Sequence, residues 1–280
     1  MLHLFCQYSK MEYQKLKEKQ KMKGVPRIHI EGGVYYVTVR GDHDEKIFRE
    51  AEDYQSYLNL LRKYKEQYGF KLFAFVLLPN HLCLLIELRE GVVLSDIMHD
   101  LNGNYTKYFN KKYSLKGHLF RETYRMNLLE KSRYLICMSA YMHLYPQRLN
   151  LIQHPATYPY SSYPVYLHYA GFEDACMETK SSVFGFDPGM EQEITGVLTT
   201  IKERNYTDYL RNISIEEIKI LALDLKKGMV LGSEEFKETV KSKIKAYWQE
   251  KYRQELAFLQ QRLNDLELEE GVREWEEELR

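Results

Sequence analysis

The sequence predicts an α+β fold, a small ferredoxin-like antiparallel sheet with helices packed on it, followed by a C-terminal helical extension. Three observations carry this. Strand-like and helix-like apolar patterns alternate in the order β-α-β-β-α-β-α over the first 150 residues. Two strongly apolar runs, 70–78 and 81–88, are separated only by Pro79-Asn80, which reads as a buried hairpin. Beyond residue 200 the patterns are helical only.

Residues 1–24 read as a basic amphipathic arm or helix, broken by Gly24 and Pro26. Gly32-Gly33 then leads into VYYVTVR (34–40), a β-branched and aromatic strand punctuated by Gly41-Asp42. From Ile47 to Tyr68, large apolar residues recur at steps of three and four, so this is a helix ended by Gly69. After the hairpin, Ser95 caps a helix to about Tyr113. Gly117 opens an extended stretch, and a second helix over 132–144 stops at Pro146. The Tyr/Pro/Ser-rich YPYSSYPVY (158–166) wraps the end of the domain. Helical patterns follow at 191–211 and 214–227, and Ser233-Glu-Glu-Phe236 restarts a helix with an N-cap and an acidic first turn. The expected organisation is an arm (1–24), one domain (25–170), a linker (171–200) and a helical extension with an acidic end (201–280).

With 44% apolar and 29% charged residues in 280, the chain can bury a core. No apolar run is long enough to span a membrane, and the Lys-rich N-terminus does not read as a secretory signal. Cys6, Cys83, Cys137 and Cys176 show neither CxxC nor zinc-ligand spacing, so a cytoplasmic, reducing location is expected. The net charge of zero hides an asymmetry: residues 1–180 carry 25 Lys+Arg against 19 Asp+Glu, and residues 181–280 carry 15 against 21. An anionic partner is expected on the N-terminal part.

That basic character is densest between Leu101 and Tyr134. Lys107, Lys111, Lys112, Lys116, Arg121, Arg125, Lys131 and Arg133 there face only Glu122 and Glu130. Tyr105, Tyr108, Tyr113, Phe120 and Tyr124 are interleaved with them. Cations that neutralise phosphates beside rings on which bases stack make a surface for single-stranded nucleic acid. Arg27 and Arg40, flanking the first strand, extend it. The other reading makes the rings core and the charges a solvated face. At the acidic end, residues 249–280 carry a leucine stripe suited to a protein partner, to self-association, or to packing on the same chain.

Four ordered stretches resemble the REP-associated tyrosine transposases, single-tyrosine HUH transposases. They are EGGVYYVTVRG (31–41) with IFRE (47–50), AFVLLPNHLCLLIE (74–87), NGNYTKYFNKKYSLKGHLFRETYR (102–125), and YLICMSAYMHLYPQRLNL (134–151) with YPYSSY (158–163). The resemblance covers about residues 25–165 and implies a central antiparallel sheet. It also implies a tyrosine that attacks a phosphodiester of single-stranded DNA, commonly at hairpins. In that chemistry a divalent ion, Mg²⁺ or Mn²⁺, is held by the two histidines of the HUH motif and by a polar residue on the tyrosine helix.

By this resemblance Tyr141 is the nucleophile, His81 and Cys83 stand at the HUH positions, and Tyr145 stands at the third-ligand position. Residues i and i+2 of a strand share a face, which is why two such ligands reach one ion. Here the second is a thiol, a soft donor mostly protonated at neutral pH, and the third is a phenol. Cys83 also reads as a small buried hydrophobe and His81 as a hydrogen-bonded core residue. His143 lies two residues after Tyr141 and faces elsewhere on the helix.

Three functions stand open. The leading one is a transposase-derived protein that binds hairpin-bearing single-stranded DNA, or RNA, with nicking lost or reduced and no cofactor. The second is an active nicking-and-joining enzyme that uses Tyr141 and a divalent metal. The third is a scaffold that acts through its C-terminal helices.

Overall fold

The computed structural model describes residues 30–169 and 206–250, together with residues 253, 254, 257, 258 and 261. The expected arm (1–24), Arg27, the linker (171–200), Cys6, Cys176 and nearly all of the acidic end lie outside the described residues. The chain divides into two compact units, the first ending at Met229 and the second beginning at Val230.

Strands β1 (Val34–Arg40), β2 (Lys71–Leu78), β3 (His81–Glu87) and β4 (Arg125–Leu129) form the sheet of the first unit in the order β2-β3-β1-β4. Each neighbouring pair is antiparallel. This order follows from sequence. The tight β2–β3 hairpin fixes one pair, and the two helical crossovers place β1 beside β3 and β4 beyond β1. β2 and β3 are buried along almost their whole length, as their unbroken apolar runs demand. The α+β, ferredoxin-like expectation holds.

Helix α1 (Ala51–Tyr68) and helix α2 (Leu94–Tyr113) pack on each other. The first starts four residues later than periodicity suggested. Glu50 closes a capping box with Asp53, and Ile47 and Phe48 enter the core as extended chain ahead of it. Gly69 ends it with φ of 66°, a left-handed cap that favours glycine. Helix α3 (Lys131–His143) packs on β2 and β3.

Pro146 does not end the helical path. Helix α4 (Tyr145–Arg148) starts at once with Pro146 in its first turn, where the missing N–H costs nothing. The expected stop is therefore a break followed by a new turn, and Tyr145 lies on a different helix from Tyr141.

Segment 158–163 seals the outer edge of β2. Leu77 N–H donates to Tyr160 O, Ser162 N–H to Phe75 O, and the Tyr158 hydroxyl to Leu77 O at 2.6 Å. The expected surface wrap is in fact an edge cover, which denies that strand to other chains. It leads into helix α5 (Tyr163–Tyr169).

The helices α6 (Tyr206–Asn212) and α7 (Ile215–Lys227), expected in a separate extension, belong to the first unit. Tyr206 is buried in its core, and the Asn127 side chain on β4 donates to the carbonyls of Leu225 and Gly228. Ser214 and Glu217 form a capping box that starts α7. In the second unit, β5 (Val230–Leu231) precedes a helix over 234–250, capped by Ser233 as its sequence suggested. No helix among the described residues is long and apolar enough to cross a membrane.

Candidate functional site

Alternation along the central strands builds one face of polar and aromatic groups. On β1 these are Tyr36, Thr38 and Arg40, and on β3 they are His81 and Cys83; in register, Thr38 pairs with Cys83 and Arg40 with His81. Gly41 allows β1 to end tightly here, since a Cβ would lie 2.2 Å from the Glu45 carbonyl oxygen. Its N–H donates to Asn80 O, tying the end of β1 to the hairpin turn that precedes His81.

Helices α3 and α4 bring Tyr141 and Tyr145 over this face. Their rings stack with centroids 5.9 Å apart despite the helix break. Tyr141 also meets Tyr36 edge-on at 6.3 Å, and Tyr145 meets His81 edge-on at 5.1 Å. Arg148 lies over both tyrosines, 4.1 Å from the Tyr141 centroid and 4.9 Å from that of Tyr145, and donates to Tyr141 O at 3.0 Å. The four residues singled out in sequence, His81, Cys83, Tyr141 and Tyr145, therefore line one cavity of about 540 Å³. Arg40, Arg125 and Asn127 share it, and Leu225, Lys226 and Met229 wall it from the side of α7.

The electrostatics of this cavity are those of neutral groups beside fixed cations. Burial lowers the His81 pKa to about 4, and the Arg40 charge pushes the same way, so the ring is neutral. Its Nδ1 donates to Asn80 Oδ1 at 2.7 Å, which leaves Nε2 as a lone-pair acceptor. Nε2 is buried and has no hydrogen-bond partner among the described residues. Burial raises the Cys83 thiol to about 11, and its Sγ lies 3.2 Å from the Tyr36 hydroxyl. Burial also raises Tyr141 and Tyr145 above the ordinary phenol value. The Arg40 charge acts the other way on Tyr145, favouring its ionised form.

These residues do not fit a hard divalent ion. The orphaned Nε2 is a competent donor, but its companions are a protonated thiol and a phenol, with Arg40 and Arg148 adding positive charge. Among the described residues no group of three or more His, Cys, Asp or Glu side chains converges as a metal cluster.

The basic-aromatic segment divides. Lys107, Lys111, Lys116 and Arg121 are exposed and form no ion pair among the described residues. Arg121 N–H donates to Arg40 O at 3.0 Å, so its loop borders the end of β1 beside the cavity. Arg125 is exposed but bonded to Glu122 at 2.6 Å. Lys112 departs from expectation. It is held by Glu50, by Glu52 at 2.8 Å and by Asp53 at 2.9 Å, because Asp53 is fully buried at the start of α1 and needs a counter-charge. The stacking rings need the same correction: Tyr105 and Tyr124 are buried between sheet and helices, and Tyr108 and Tyr113 are hydrogen-bonded to Asp53. Core packing, the rival reading, accounts for Tyr105 and Tyr124, and the Asp53 network holds the half-buried Tyr108 and Tyr113.

His143 faces away from Tyr141, as helical rotation requires. It is fully buried, with Nδ1 at 2.6 Å from the Tyr206 hydroxyl and Nε2 at 2.8 Å from Ser162 Oγ. Sequence reasoning missed Tyr36, Asn127, Arg148 and Lys226. The first was within reach, because it shares the two-residue period of Thr38 and Arg40. Arg148 and the residues of β4 and α7 join through tertiary contacts that no local pattern announces.

Residues 33–144 match the family model for IS200-like transposases. Among solved structures, a REP-associated tyrosine transposase bound to a REP hairpin is similar at 19% identity and a TM-score of 0.45, over 59% of this chain and 93% of that one. A candidate transposase from Deinococcus radiodurans R1 is similar at 18% identity and a TM-score of 0.31, over 41% of this chain and 94% of that one. No curated protein matches the chain.

Proposed function

With an IS200-like transposase domain at residues 33–144 as the premise, we propose that this chain binds hairpin-bearing single-stranded DNA and has lost or greatly reduced the ability to nick it. The observation that carries the loss is the state of Cys83. A fully buried thiol, kept protonated and bonded to Tyr36, stands where the family places its second metal-binding histidine. Tyr141 is itself held as a phenol, stacked on Tyr145 with Arg148 over the ring, and among the described residues no carboxylate lines the cavity to take its proton.

Binding rests on the exposed cations of α2 and the loop after it, Lys107, Lys111, Lys116 and Arg121, the last of which is tied to the end of β1 by its N–H bond to Arg40 O. Such a surface neutralises phosphates and gives affinity that falls with salt. Since Tyr105 and Tyr124 are buried, electrostatics rather than stacking supports the affinity.

The test is fluorescence anisotropy across a salt series with a hairpin-bearing DNA strand, a hairpin-free strand and an RNA of matching sequence. Salt-sensitive preference for the hairpin DNA is expected; absence of any salt-sensitive affinity ends this reading, and equal affinity for the RNA ends its DNA assignment. The second reading, an active nicking enzyme, draws support from Tyr141 and His81 lining one cavity. A covalent protein–DNA adduct with Mg²⁺ or Mn²⁺, lost in Tyr141→Phe, would establish it in place of the first. A scaffold role would lie in residues 249–280, most of them outside the described residues, and truncation at 248 followed by light scattering addresses it.

A further inference from the structure

The cavity holds a buried acceptor that the described chain leaves unmet, Nε2 of His81, on a residue only 4% exposed. Buried polar atoms are nearly always satisfied, so such an atom at a cavity wall points to a ligand. Its lone pair repels a bare phosphate oxygen and requires a donor, either an N–H or a hydroxyl. Beside it, Arg40 is the register partner of His81 and lines the same cavity wall as Tyr145. It is half-exposed, and its only ion pair among the described residues is a 4.0 Å contact with Asp44. Fixed guanidinium charge thus stands against two of the residues that the resemblance assigns to a metal.

We propose that this cavity is a metal-independent nucleotide site, in which Arg40 takes a phosphate oxygen and His81 Nε2 accepts a hydrogen bond from the same nucleotide. A guanidinium fork matches phosphate geometry and needs no bridging ion. The volume of about 540 Å³ is that of a small-ligand pocket. The donor is either a base N–H or a free 3′-hydroxyl, chemistry that one histidine acceptor serves equally. The inference deepens the single-strand reading above and rests on it.

The full chain is titrated with a short hairpin-free oligodeoxynucleotide, followed by anisotropy in EDTA and again in Mg²⁺. Affinities in the two conditions should agree within about twofold, and Arg40→Ala should weaken both by about tenfold, the loss of one charge-assisted hydrogen bond. His81→Phe should weaken binding too, with equal melting temperature in Arg40→Ala as the check on folding. A 3′-phosphate that abolishes binding assigns the donor to the terminal hydroxyl, and one without effect assigns it to a base. Binding that requires the metal, unchanged affinity in Arg40→Ala, or a Mn²⁺ ion seen by electron paramagnetic resonance and lost in His81→Phe would each overturn the site. A hairpin strand run in parallel separates the two ideas. Hairpin binding indifferent to Arg40 removes this site alone, and oligonucleotide binding without hairpin preference removes the hairpin reading alone.

Discussion

Tyr36 and Cys83, on the adjacent strands β1 and β3, are joined side chain to side chain, hydroxyl to sulfur at 3.2 Å. Both are buried, and Cys83 sits with its thiol raised to about 11 by that burial. Only thiolate reacts with alkylating reagents, so Cys83 should be inert in the folded protein at neutral pH. Iodoacetamide labelling followed by peptide mass spectrometry should modify Cys137, which is partly exposed, well before Cys83. Equal labelling of the two under native conditions would contradict the closed packing described.

Replacing Cys83 by His restores the two-histidine motif but not the site. The ring is larger than the thiol, Cys83 is 1% exposed, and Tyr36 loses its partner. Overpacking of this kind costs about 1–3 kcal/mol, readable in urea unfolding. Arg40 and Tyr145 remain in place, so Cys83→His alone should give no covalent adduct on hairpin DNA with Mg²⁺ or Mn²⁺. Adduct formation by this single variant would show that Cys83 was the sole lesion.

Neighbouring lysines on α2 should behave oppositely. Lys111 is exposed, whereas Lys112 already answers Glu50, Glu52 and the buried Asp53. Lys111→Gln should lower the salt dependence of single-strand binding by about 0.7 in log–log slope, one phosphate contact. Lys112→Met should leave that slope unchanged and destabilise the fold by about 3 kcal/mol, because it removes the counter-charge of the buried Asp53 carboxylate. The two readouts, anisotropy and urea unfolding, should therefore exchange rank between the variants.

That contrast marks what was legible in the sequence. The β2–β3 hairpin was, because two unbroken apolar runs around Pro79-Asn80 admit few other structures. Strand alternation made only the shared face of His81 and Cys83 legible; that Tyr141 and Tyr145 converge on it, across a helix break at Leu144, was an implication of the resemblance and not of any local pattern. Lys112 and Lys111 look alike in one dimension, and only the buried position of Asp53, 59 residues away in sequence, separates them. Rings such as Tyr105 carry the same ambiguity. An aromatic between lysines is compatible with either a stacking platform or a core, and burial decides. The joining of α7 to β4 depends in part on the Asn127 side chain, whose role no pattern of polarity announces.

His143 gives the fold a pH dependence of defined sign. Its ring is fully buried, and burial lowers its pKa to about 3 from an ordinary value near 6.5. The Ser162 hydroxyl donates to Phe75 O, so His143 Nε2–H donates to Ser162 and Nδ1 accepts from Tyr206. Between those two values the unfolded chain binds the proton and the folded chain does not. Stability from this residue is therefore complete above about pH 6.5 and is lost as pH falls towards 3, at up to about 1.4 kcal/mol per pH unit. His81, lowered to about 4, adds a slope of the same sign in an overlapping range. Urea unfolding at a series of pH values should show the combined slope, and His143→Gln should remove roughly half of it while lowering stability at pH 7. A slope unchanged by His143→Gln would mean that the acid sensitivity arises elsewhere in the fold.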